Sequence, residues 1–140
     1  MKRIFLDANV IFTAAHNPEG KAALLFELGR GGHWKLFTSQ LAWEEARRNL
    51  SIKFPNCVSR LKELRQDLQF VANPGQAPCP LELPAKDKPI FLAALQTRAT
   101  HLLTGDEAHF GSYMNTPFET QDIVIQTVGD FFLDLIEEND

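Results

Sequence analysis

Cysteine is scarce: the 140 residues hold only Cys57 and Cys79. Two thiols are too few for a disulfide framework, and they form no metal-binding pattern. The expectation is two reduced thiols in a cytoplasmic protein. Long apolar runs are missing as well. None approaches the roughly 20 residues that cross a bilayer. At the N-terminus only Ile4, Phe5 and Leu6 follow Lys2 and Arg3 before Asp7 interrupts. A secretory leader needs about 7–15 apolar residues, so none is expected here. There is no glycine-rich phosphate loop, which leaves nucleotide-cofactor readings with little support. Internal repeats and low-complexity tracts are also absent. A net charge of -4 argues against a generally basic nucleic-acid binder.

What remains is ordinary in composition and uneven in arrangement. Hydrophobic residues make up 44% and charged residues 23%, close to soluble globular averages and far from a disordered chain, a collagen or a membrane bundle. The length fits a single domain, residues 1–140, with one core. Residues 1–70 carry 11 lysines and arginines against 7 acids, and residues 71–140 carry 3 against 11. Within 47–65, Arg47, Arg48, Lys53, Arg60, Lys62 and Arg65 face a single acid, Glu63. Such asymmetry suggests an anionic partner on one side and a separate task for the acids. Two amphipathic helices with solvated basic faces would give the same pattern.

Short apolar runs at 3–6, 35–38, 69–72, 101–104 and 123–125 read as strands buried on both faces. Helices are expected over 19–30, 40–51, 55–68, 86–99 and 127–138, with residues 8–18 as a connection. Ser39 caps the second of these helices. Residues 73–84 hold four of the eight prolines and form an irregular connection. Alternating strands and helices imply an α/β fold with a mostly parallel central sheet covered on both faces. Ligands of such sheets bind beyond the carboxyl ends of the strands, where the strand order reverses.

The residues just past the strands therefore matter most. The first strand ends in Asp7 and the fourth runs into Thr104, Gly105 and Asp106. On neighbouring strands these two carboxylates come within reach of one metal ion, although either alone is also an ordinary turn former or cap. On the 40–51 helix, Glu44 points away from the apolar arc of Ala42, Trp43, Ala46 and Leu50, whereas Glu45 lies nearer its edge. Glu45 is thus the better candidate for a half-buried functional acid, with Glu44 kept as the alternative. Asp87 opens the 86–99 helix as a cap or as an acid facing the sheet with Ile90, Phe91 and Ala94. Converging carboxylates repel one another, and a hard cation such as Mg²⁺ or Mn²⁺ removes that problem. No Cys/His pattern favours zinc. Acids, a divalent ion and a basic flank together suit phosphodiester chemistry.

The chain resembles the PIN domain family, including the VapC-type toxins of bacterial toxin–antitoxin pairs. The likeness covers nearly the whole chain. It rests on the runs Phe5–Ile11, Ser39–Arg48, Asp87–Ala94 and Leu102–Gly111, in that order and spacing. It implies a three-layer α/β/α sandwich and a Mg²⁺- or Mn²⁺-dependent endoribonuclease. The family's acids fall on Asp7, Glu45, Asp87 and Asp106. By the resemblance Asp7 and Asp106 bind metal directly, Asp87 binds metal or its waters, and Glu45 positions a metal-bound water. Asn9 and Thr104 hold the site by hydrogen bonds. In-line attack would leave a 5′-phosphate and a 3′-hydroxyl. An antitoxin partner and a homodimer are further family-level expectations. One departure is visible: many relatives carry another acid where this chain has His109, which is read as a half-buried structural residue or a phosphate contact. Arg47, Arg48 and Lys53 are expected to hold RNA phosphates. Most of the 11 phenylalanines are expected in the core, with Phe54, Phe110 and Phe118 as alternatives for an RNA groove or dimer face.

Two other readings remain at this point. One is a PIN-fold module that binds RNA or protein without turnover, which the substitution at His109 mildly favours. The other is a phosphohydrolase with Asp7 as nucleophile, since Phe5-Leu6-Asp7-Ala8-Asn9 superficially resembles the haloacid-dehalogenase start. Asn9 stands where that family has its second aspartate.

Overall fold

The computed structural model describes residues 1–138. Its five strands form one sheet in the order β3-β2-β1-β4-β5, and all four pairings are parallel. They are β1 (Lys2–Leu6), β2 (Trp34–Ser39), β3 (Leu68–Val71), β4 (His101–Leu103) and β5 (Val124–Gln126). Ile4, Phe5 and Leu6 are fully buried in succession. Unbroken burial of this kind means that helices cover both faces of the sheet.

Among the described residues seven α-helices accompany the strands: α1 (Ala8–His16), α2 (Lys21–Arg30), α3 (Gln40–Lys53), α4 (Ser59–Arg65), α5 (Lys88–Gln96), α6 (Glu107–Phe110) and α7 (Val128–Glu138). α1 packs on α2 and α3, while α3 and α5 both lie against β2. Right-handed crossovers put the helices of the β1-to-β3 half on one face and α5, on the return to β4, on the other. No described helix is long and apolar enough to cross a membrane. Cys57 and Cys79 are free thiols, as the sequence suggests.

Several boundaries differ from the sequence expectations. The connection expected over 8–18 is mostly helix α1. Asp7 caps that helix through its side chain, and Ala8, Val10, Ile11, Ala14 and Ala15 are buried on one face. Burial outweighs the modest helix propensity of its β-branched residues. The helix expected over 55–68 is instead a 3₁₀ turn at Pro55–Cys57 followed by α4, which ends at Arg65. α5 begins only at Lys88, so Asp87 occupies the N-cap position. Phe110 is fully buried, which removes it from any surface groove, whereas Phe118 is 81% exposed. At the edge of the sheet opposite the strand ends, Trp34 and His101 meet Phe131 edge-on at centroid distances of 5.2 Å each, docking α7.

Candidate metal centre

The strand order runs outward from β1 in one direction through β2 and β3, and in the other through β4 and β5. The reversal therefore lies between β1 and β4. The register pairs Leu6 with Leu103. The next residue on each strand, Asp7 and Thr104, thus sits level at the carboxyl edge, and the Asp7 N–H donates to the Leu103 carbonyl at 3.1 Å.

Asp7 is only 5% exposed. One carboxylate oxygen accepts from the Ala8 N–H at 2.7 Å, and the other accepts from the Thr104 hydroxyl at 2.8 Å and the Asn9 amide at 3.4 Å. Thr104 Oγ1 also accepts from the Asp106 N–H at 3.0 Å and from Asn9 Nδ2 at 3.2 Å. Asn9 Oδ1 accepts from the Gly105 N–H at 2.6 Å. Asn9 and Thr104 thus tie the end of β1 to the turn after β4 and fix both aspartates relative to each other. Burial pushes the Asp7 carboxyl up to about 6, against these hydrogen bonds. The charges of Glu45 and Asp87 push it the same way.

Asp87 stands at the start of α5 but makes no side-chain cap hydrogen bond. It is buried and faces the cleft, the second of the two orientations open from sequence. Burial raises its pKa above the ordinary carboxylate range; the charge of His109 lowers it and that of Asp106 raises it again. Asp106 caps the single turn of α6, accepting from the His109 N–H at 3.1 Å. The same turn carries the His109 ring back over the acids. Its Nδ1 lies 2.7 Å from Asp106 Oδ2 and 2.9 Å from Asp87 Oδ2. Neither contact is aligned as a hydrogen bond, so Nδ1 and Asp87 Oδ2 are buried without a hydrogen-bond partner.

Asp7, Asp87, Asp106 and Glu45 line one cleft of about 230 Å³, together with Asn9, Asn49, Lys53 and Lys86. The exposures of the two glutamates invert the sequence expectation. Glu44 is half-buried and paired with Arg47 at 2.9 Å, whereas Glu45 is exposed. Even so, Glu45 lines the cleft and Glu44 does not. The basic residues divide in the same way. Lys53 reaches the cleft, and Arg48 lines an adjoining groove with Glu45, Lys86 and Asp87. Arg47 is held by Glu44. Further along the basic stretch, Arg60 donates to the Ala15 carbonyl at 2.9 Å, and Arg65 stacks on Phe70 at 4.4 Å. The sequence expectations place neither Lys86 in the cleft nor His109 against Asp87 and Asp106. Their signals were adjacency to Asp87 and the i,i+3 spacing from Asp106.

This donor set fits a divalent cation. Asp87, Asp106 and His109 each offer a ligand atom, and the three atoms lie within 4.8 Å of one another. Asp87 Oδ2 has a free acceptor in a buried place, and burial makes the Asp7 and Asp87 carboxyls resist ionising unless a positive charge joins them. Asp7 lies outside the tight group of three, with both oxygens already accepting hydrogen bonds.

No family model matches the chain, and no curated protein matches it. Solved structures do. The chain is similar to VapBC2 from Rickettsia felis, solved bound to a DNA fragment from their promoter. That match has a TM-score of 0.63 and 14% identity over 89% of this chain and 98% of that one. It is similar to VapC20 from Mycobacterium tuberculosis, a sarcin-ricin loop cleaving toxin, with a TM-score of 0.57 and 11% identity over 79% and 94% of the two chains. It is similar also to VapBC-1 from nontypeable Haemophilus influenzae, with a TM-score of 0.55 and 15% identity over 91% and 98%. At these identities the shared property is the backbone arrangement. The chain therefore has the PIN-domain fold of the VapC proteins.

Proposed function

We propose that this chain is a divalent-metal-dependent endoribonuclease of the VapC type, acting with a cognate antitoxin protein. The observation that carries this reading is the meeting of four acids, distant in sequence, in one cleft where the strand order reverses. The similarity to a toxin that cleaves the sarcin-ricin loop supports RNA as the substrate. The similarity to VapBC complexes supports the protein partner, and a homodimer belongs to the same reading.

Asp87 and Asp106 would hold Mg²⁺ or Mn²⁺, with Asp7 completing the site. When bound, such an ion polarises a phosphoryl oxygen and makes water a better nucleophile near neutral pH. The remaining work falls to the chain. Thr104 and Asn9 keep the Asp7 carboxylate aimed into the cleft through hydrogen bonds that leave it little rotational freedom. Glu45, exposed and lining the same cleft, would order a water and accept its proton. Lys53 and Lys86 supply positive charge at the rim for the RNA backbone.

The test is cleavage of single-stranded and hairpin RNAs by purified protein. Cleavage is expected with Mn²⁺ or Mg²⁺ and none in EDTA. In Asp7→Asn and Asp106→Asn the rate should fall by at least about 100-fold, the scale of losing a positioned catalytic group. RNA that binds but stays intact with every metal would instead indicate the non-catalytic module. Cleavage that survives EDTA would end the metal assignment.

A further inference from the structure

Against two of the cleft's acids stands one side chain that a site of hard oxygen donors does not require. His109 presents Nδ1 between two carboxylate oxygens, 2.7 Å and 2.9 Å away. A proton on Nδ1 would pair its charge with the two carboxylates at these distances but point squarely at neither, because neither contact has hydrogen-bond alignment. A lone pair on Nδ1 facing a cation shared with those oxygens would be satisfied. The spacing agrees: ligands at right angles around an ion with bonds of roughly 2.1 Å lie roughly 3.0 Å apart. The main chain of His109 is held in place, since its backbone N–H donates to Asp106 Oδ1 at 3.1 Å in the same helical turn. The Asp87 carboxyl is buried and aims its unpartnered oxygen at the same point.

We propose that His109 is itself a metal ligand, so that His109 Nδ1 with oxygens of Asp87 and Asp106 selects a first-row transition dication over Mg²⁺. The proposal rests on the reading of this cleft as a metal centre and specifies which metal it takes. Imidazole nitrogen binds transition ions well and Mg²⁺ poorly, whereas carboxylates alone suit both Mg²⁺ and Mn²⁺. Of the four histidines, only His109 offers a nitrogen to this group of donors: His16 stacks on Phe54, and His101 packs against Phe131.

Mn²⁺ is the probe, and the intact protein is the sample. Pulsed electron paramagnetic resonance of the Mn²⁺-loaded chain should detect a directly coordinated ¹⁴N, and labelling histidine with ¹⁵N should change that signal. By calorimetry, Mn²⁺ should bind more tightly than Mg²⁺ by about tenfold or more, and His109→Asp should shrink that ratio by restoring an all-oxygen set. The spectroscopic arm needs no variant, so it stands even if His109→Asp folds poorly. Mn²⁺ bound at the acids with no nitrogen coupling would overturn the role of His109 while leaving the nuclease reading intact. Failure of the wild-type chain to bind any divalent ion would overturn both.

Discussion

Asp7 illustrates what a single buried carboxylate does to its surroundings. Its pKa rises from 3.8 to about 6, chiefly through burial, which corresponds to roughly 3 kcal/mol against the charged form. The folded-state value lies above the unfolded one. Asp7 therefore favours folding fully below pH 3.8, and that contribution is lost as the pH rises through 6. Asn keeps only one of the two acceptor oxygens, so the pH dependence is the test: from pH 4 to pH 8 metal-free wild type should lose about 2–3 kcal/mol of stability relative to Asp7→Asn. Urea titrations across this range check it, and parallel stability curves for the two proteins would refute it. His101 acts in the opposite direction. Burial lowers its pKa to about 4, so its contribution is present above 6.5 and lost as the pH falls through 4. Comparing wild type with the Asp7 variant cancels that background. Asp7 and Asp106 were legible from sequence because each follows a short apolar run. His109 was not, because its role depends on a one-turn helix that folds the ring back onto Asp106.

Helix termini separate residues that hold the fold together from residues that hold something else. Ser39 and Asp87 both stand at the N-cap of a helix. Ser39 uses its side chain there, accepting from the Ala42 N–H at 3.1 Å, whereas Asp87 makes no such bond. Ser39→Ala should cost about 1 kcal/mol. Asp87→Ala in the metal-free protein should cost less than that or stabilise it, because a buried charge is removed and no cap is lost. Thermal melts of the two variants decide the matter, and equal losses would make Asp87 a structural cap after all. The strands were readable because burial on both faces erases the alternation that strands otherwise display. α1 was not readable, because its start signal is the same aspartate that marks the cleft and one residue served both purposes. The exposures of Glu44 and Glu45 were inverted for a related reason. Residues four apart on α3 share a stripe, but the Glu44–Arg47 pair shields one side chain, and the open cleft beside Glu45 exposes the other.

Over the molecule as a whole, charge is sorted rather than balanced. Much of the basic stretch is already engaged: Arg47 by Glu44, Arg60 by the Ala15 carbonyl and Arg65 by an aromatic face. Lys53 and Lys86 line the cleft, and on the proposed reading they are the cations that would meet an RNA phosphate. Lys53→Gln and Lys86→Gln should each flatten the dependence of log affinity for single-stranded RNA on log salt by about 0.7, one phosphate contact apiece. Filter binding from low to high salt measures this, and unchanged slopes would place the RNA elsewhere on the surface.

The hydroxyl that steadies Asp7 arrives 97 residues later in the chain. During synthesis β1 is made before β4, which must later slot in beside it. Until then Asp7 lacks Thr104, Asp106 and His109, and no partial product possesses the assembled cleft. Whatever chemistry this edge performs requires β1 and β4 side by side, so a fragment that stops before β4 should lack it.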